Sequence, residues 1–155
     1  MDKNNKKYDS RNNCNAIIET KTNTLISGCK NTIIPKGVKK IWNSAFSYVD
    51  MDIDSIYIEN GLKNIGKFAF GHSNIRVIVI PKSVKTIEDG VFESCDNLQK
   101  IYLKHKTPPK FNDEGYAERY IEDSPNLTIY VNRKAYKKFK KDSVWQMFNI
   151  EAINI

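Results

Sequence analysis

The chain has 155 residues, carries 25 Lys and Arg against 18 Asp and Glu for a formal net charge of +7, and is 40% hydrophobic with three cysteines. That length suits one domain with a continuous core. There is no apolar span long enough for a membrane helix and no signal-peptide apolar segment, so no membrane insertion is expected, and the chain is either cytoplasmic or exported after losing a leader.

Residues 1–12 are polar and charged with almost nothing to bury, so this tail is expected to be disordered. The middle of the chain repeats itself. The copies are Ile34-Pro35-Lys36-Gly37-Val38-Lys39-Lys40-Ile41…Ala45-Phe46, Ile58-Glu59-Asn60-Gly61-Leu62-Lys63-Asn64-Ile65…Ala69-Phe70 and Ile80-Pro81-Lys82-Ser83-Val84-Lys85-Thr86-Ile87…Val91-Phe92. Their steps are 24 and 22 residues, and Leu103 opens a partial further copy. A fixed period of this size marks stacked units, each completing its neighbour's core.

Within each unit the apolar positions hold their places, as in Ile53, Ile56, Ile58, then Ile75, Ile78, Ile80, then Leu98, Ile101, Leu103. The last two of each triplet alternate, so both point inward from a short strand and the residue between them points out. A turn and a second apolar pair follow, and Phe46, Phe70 and Phe92 are expected to stack in one internal column. A helical reading fails because prolines and glycines interrupt every window of a dozen residues. An antiparallel sandwich gives no reason for matched residues at a constant step.

This phrase, followed by Cys95-Asp96-Asn97-Leu98, resembles the BspA-like leucine-rich repeats of bacterial surface proteins. The resemblance implies a repeat solenoid, mainly β with short turns: a right-handed leucine-rich-repeat array that binds other macromolecules, with no catalytic residues to carry over. It also implies an N-terminal β-hairpin cap over residues 13–29, repeats over 30–106 and a C-terminal strand–helix cap over 107–155. Two departures are Glu59 where Pro35 and Pro81 stand, and the longer polar insert Ser47 to Asp52.

If the hairpin turns around Lys21 and Thr22, Glu19 faces Thr24, Ile17 faces Ile26 and Cys14 faces Cys29. A disulfide there is reachable and would fit an oxidising compartment; two small buried thiols that never bond are the equal alternative. Cys95 reads as a small buried packing residue. In the closing segment Asn132 is expected to cap a helix with Tyr136 and Phe139 on one face. Trp145 and Phe148 are expected to seal the open end, and Phe111 to Pro125 forms the longest irregular stretch.

Catalytic chemistry finds little to hold. His72 and His105, the only histidines, stand in polar turn or strand-end positions without a nucleophile and orienting acid, and both read as surface residues. Zinc would need Cys or His ligands paired closely in sequence, and here they are scattered. Asp50, Asp52 and Asp54 mimic the opening of a calcium loop, but the required Gly and Glu are replaced by Ser55 and Gly61. No phosphate-binding glycine loop occurs. No metal, cofactor or catalytic residue is therefore assigned, and no enzyme activity is expected.

Two residue columns remain as candidate sites. Aligning the strands puts Ile33, Tyr57, Val79, Tyr102 and Tyr130 at one outward position, an exposed apolar stripe suited to a protein partner. Such rows also arise because β-branched and aromatic residues suit strands. The second column is basic: Lys39, Lys63 and Lys85 recur between the paired apolar residues, with Lys36 and Lys82 matched in the preceding turn. An anionic partner such as a sulfated glycan would fit them, although a lysine-rich soluble surface explains the same row. Nucleic acid lacks support, because no aromatic-interleaved basic platform occurs. The reading is a non-catalytic interaction or adhesion module of a bacterial surface or secreted protein. Its partner would be a host matrix or cell-surface protein met on the strand face, and an anionic ligand on the lysines is the alternative.

Overall fold

The computed structural model describes residues 5–50, 55–112 and 126–155. In chain order the strands are β1 (Tyr8–Asp9), β2 (Ile17–Glu19), β3 (Thr24–Ser27), β4 (Lys40–Ile41), β5 (Ser55–Tyr57), β6 (Asn64–Ile65), β7 (Val77–Ile80), β8 (Thr86–Ile87), β9 (Lys100–Leu103), β10 (Lys110–Phe111), β11 (Thr128–Asn132) and β12 (Ile150–Ile153). A short α-helix, α1 (Tyr136–Phe139), and a 3-10 turn at Trp145–Met147 lie between the last two. They form a mainly-β solenoid with two sheets, ordered β1-β2-β3-β4-β6-β8-β10 and β12-β11-β9-β7-β5. The second sheet is parallel throughout, and the first is parallel from β3 onward.

The repeat period sets the register. Ile56, Ile78, Ile101 and Ile129 lie side by side across the second sheet, and Leu25, Ile41, Ile65, Ile87 and Phe111 across the first. All but the last are buried, so each coil's apolar residues are covered by the same residues of its neighbours. Between the sheets Phe46 stacks on Phe70 at 5.1 Å and Phe70 on Phe92 at 6.0 Å, the expected internal column. A third ladder links the coils beside it: Phe46 N–H donates to the Ala69 carbonyl at 2.7 Å and Phe70 N–H to the Val91 carbonyl at 3.0 Å. At Gly66 the backbones of adjacent coils come close, since an added Cβ would lie 2.7 Å from the Asn43 backbone nitrogen.

The N-terminal end corrects two expectations. Residues 1–4 lie outside the described residues, but the rest of the supposedly disordered tail is engaged. Tyr8 and Asp9 pair with Glu19 and Ile18 as an edge strand, and Thr20 Oγ1 donates to the Lys6 carbonyl at 2.8 Å. Arg11 pairs with Asp9 at 2.6 Å and donates to Asn23 Oδ1 at 2.7 Å. A polar segment needs no core of its own when an edge strand offers it backbone partners. In the hairpin, Glu19 faces Thr24 as expected, but a bulge between Ile17 and Ile18 sets Ile17 opposite Ser27 instead of Ile26. That breaks the register which would have opposed Cys14 and Cys29. Both thiols are free, Cys14 buried and Cys29 exposed.

Beyond Lys106 the repeat continues, since Lys110 and Phe111 pair with Thr86 and Ile87. Most of the stretch Phe111 to Pro125 lies outside the described residues, as do Asp52 and Asp54 of the acidic turn. Asn132 ends β11 and does not cap α1: its side-chain oxygen accepts the Lys134 N–H at 2.9 Å, and Ala135 holds the N-cap position. Trp145 is buried edge-on to Phe139 at 5.5 Å, and its indole N–H donates to the Pro109 carbonyl at 2.8 Å.

Candidate functional site

The outward row of the second sheet is built by its register. Tyr57 lies beside Val79, Val79 beside Tyr102, Tyr102 beside Tyr130, and Tyr130 beside Glu151. Tyr57 is 64% exposed, with Lys104 Nζ 5.5 Å from its ring centroid. Tyr102 and Tyr130 are half-buried against each other, their rings stacked at 4.8 Å and 17° from parallel. Rigid amphipathic rings held in a row offer large contact area at little entropic cost.

Two members of the expected stripe do not contribute as read. Val79 holds its place in the row but is only 5% exposed, a small side chain recessed between two tyrosines. Ile33 is 72% exposed yet belongs to no strand; its N–H donates to the Cys14 carbonyl at 3.1 Å, which ties it to the hairpin end. The surface is therefore Tyr57, Tyr102 and Tyr130, set among Lys100, Lys104 and Glu151.

The lysine column also forms. Lys63 N–H donates to the Lys39 carbonyl at 2.8 Å, and the β6–β8 register continues the row to Lys85. Lys36, Lys39, Lys63, Lys82 and Lys85 are all exposed. Among the described residues none of these five is in an ion pair. Lys85 Nζ donates to the Lys82 carbonyl at 2.9 Å.

The two histidines part company. His72 is exposed and stacks on Tyr48, 76% exposed, at 4.4 Å and 3°. This pair went unread in the sequence, although Tyr48 and His72 each stand two residues beyond a column phenylalanine. His105 is not a surface residue: it is 3% exposed, because the chain turns inward after β9 and brings Nε2 to 2.6 Å from the Val84 carbonyl. Since a carbonyl only accepts, Nε2 carries the proton. Burial pushes the imidazole below its usual range; the hydrogen bond to Val84 opposes that shift, and the nearby Lys85 charge adds a smaller downward push. Burial likewise pushes the Cys95 thiol up. Among the described residues no group of three or more His, Cys, Asp and Glu could hold a metal ion, and no helix is long and apolar enough to cross a membrane.

Residues 18–122 match the family model described as BspA type leucine rich repeat region, in six copies. The match starts in the hairpin strand β2 and runs past β10, so it covers the first sheet except for the edge strand β1. No curated protein matches the chain.

Proposed function

Since the chain belongs to the BspA-type leucine-rich repeat family, we propose that it is a non-catalytic protein-interaction module that engages its partner through the outer face of its second sheet. The observation that carries this reading is the row of Tyr57, Tyr102 and Tyr130, one ring largely exposed and two pre-stacked, on a rigid parallel sheet. Aromatic anchors of this kind dominate the binding energy of protein interfaces. Lys100, Lys104 and Glu151 give the row a charged rim, which fits a partner with a mixed polar border.

Family membership favours a more particular role: an adhesive domain of a bacterial surface or secreted protein, with a host matrix or cell-surface protein as its partner. An array of extracellular-matrix and cell-surface proteins identifies that partner. Hydrogen exchange of the complex then tests the face, because binding there slows exchange in β5, β7, β9 and β11 and leaves β4, β6 and β8 unchanged. Protection confined to the first sheet contradicts the reading.

A further inference from the structure

A cavity of about 600 Å³ lies where the second sheet's strands end, walled by Lys82, Lys104, Lys106, Lys134 and Lys138 with Asn60, His105, Asn132, Ala135 and Ile155. The lysines come from three places in the sequence: the turn after β7, the exit of β9, and the residues around α1. Parallel pairing of β9 with β11 gathers them, since Leu103 lies beside Val131 and the chain of each strand leaves the sheet on the same side. Among the described residues no carboxylate side chain lines the cavity. Five ammonium groups around one concave space raise the local potential and concentrate anions there.

The second observation is His105. It lines this cavity, is 3% exposed, and its Nδ1 is the one buried side-chain nitrogen or oxygen among the described residues with no hydrogen-bond partner. With the proton on Nε2, Nδ1 is an acceptor, so the partner it lacks is a donor such as a sugar hydroxyl, and a buried polar atom without a partner calls for a reason such as a missing ligand. The Asn60 side chain makes no hydrogen bond among the described residues either, which leaves its amide for a neutral hydroxyl or ester oxygen.

We propose that this cavity is a binding site for a polyanion of saccharide size that carries phosphate or sulfate esters beside free hydroxyls, the esters meeting the lysines and a hydroxyl donating to His105 Nδ1. Lysines act as point charges without the fixed geometry of an arginine fork, which takes carboxylate and phosphate alike, so five of them around one space favour a ligand with several negative charges, as phosphate or sulfate esters supply. The volume falls within the range of small-molecule sites and exceeds what a lone sulfate fills. The site is separate from the lysine column, with which it shares only Lys82, and it meets the tyrosine face only at Lys104.

Titration calorimetry with a heparin-type disaccharide that carries sulfate esters and free hydroxyls, and with fructose 1,6-bisphosphate, each against inorganic sulfate at equal ionic strength, tests the proposal. The tighter of the two polyanions identifies the ester. A Lys106→Gln, Lys134→Gln double variant avoids Lys104, which also covers Tyr57. It should weaken the polyanion by about tenfold or more, the loss of one or two charge-assisted contacts, while Lys39→Gln, Lys63→Gln leaves affinity within about twofold. The His105 ring resonances should shift on ligand addition in the wild type. Circular dichroism of both double variants checks that the fold is kept. Failure of both polyanions to bind more tightly than sulfate, equal losses from the two double variants, or unmoved His105 signals at saturation would each overturn the site.

Discussion

Phe46 and Phe70, equivalent residues of adjacent coils, stack with ring centroids 5.1 Å apart and planes within 10°. Phe92 covers the other side of Phe70 at 6.0 Å, and Phe70 itself is fully buried. This column makes one coil's packing depend on the next. In a solenoid that coupling between neighbours is the source of stability.

Phe70→Ala removes the middle ring of the column and leaves a cavity that both neighbours would have to collapse into. The expected cost is about 3–5 kcal/mol. Urea denaturation followed by circular dichroism measures it; a midpoint equal to the wild type's would contradict the stacked register.

Acid should destabilise the protein through His105. The unfolded imidazole titrates near 6.5, and burial lowers the folded value. Below 6.5 the unfolded chain therefore binds more protons, and stability falls as pH drops toward the folded value; above 6.5 the group contributes no pH dependence. Thermal melts of wild type and His105→Gln at about pH 7.5 and about pH 5 isolate the effect, with the wild type losing more stability than the variant. Equal losses would mean that His105 is not buried in its neutral form.

The cysteines predict a labelling pattern. Cys29 is exposed, Cys14 and Cys95 are buried, and none of the three is in a disulfide. A thiol reagent should modify Cys29 alone in the native protein and all three cysteines in denaturant. A Cys14–Cys29 disulfide would instead give no native labelling and a single reactive thiol after unfolding.

What the repeat period controls was legible in the sequence. Residues one period apart sit side by side, so the phenylalanine column and the row Tyr57–Val79–Tyr102 follow from spacing alone, whereas Tyr130 joins the row through the strand-like Ile129-Tyr130-Val131 of the closing segment. Exposure within that row was not legible, because Val79 is recessed by the size of its neighbours and not by its own position. Ile33 aligned by spacing, but the structure ties its backbone to the hairpin end and not to β5. His105 read as a surface residue because its one hydrogen-bond partner, the Val84 carbonyl, belongs to the preceding coil. The edge strand at Tyr8 rests on backbone pairing that a polar composition conceals. Lys106 and Lys134 meet in one cavity only through the β9–β11 pairing, which spans the closing segment and follows no repeat phrase.

The central claim is that the tyrosine face binds the partner, and a Tyr57→Ser, Tyr102→Ser, Tyr130→Ser variant tests it most directly. All three rings point away from the core, so the solenoid should survive the change, as a cooperative melt would verify. Surface plasmon resonance compares wild type and variant on the partner found by the matrix and cell-surface array, at low and moderate salt. The account predicts that wild-type binding persists in moderate salt and that the variant loses affinity by about a hundredfold, as expected when aromatic hot spots are removed. Undiminished binding by the folded variant, or wild-type binding that disappears with salt, would contradict it and move recognition to the lysine surfaces.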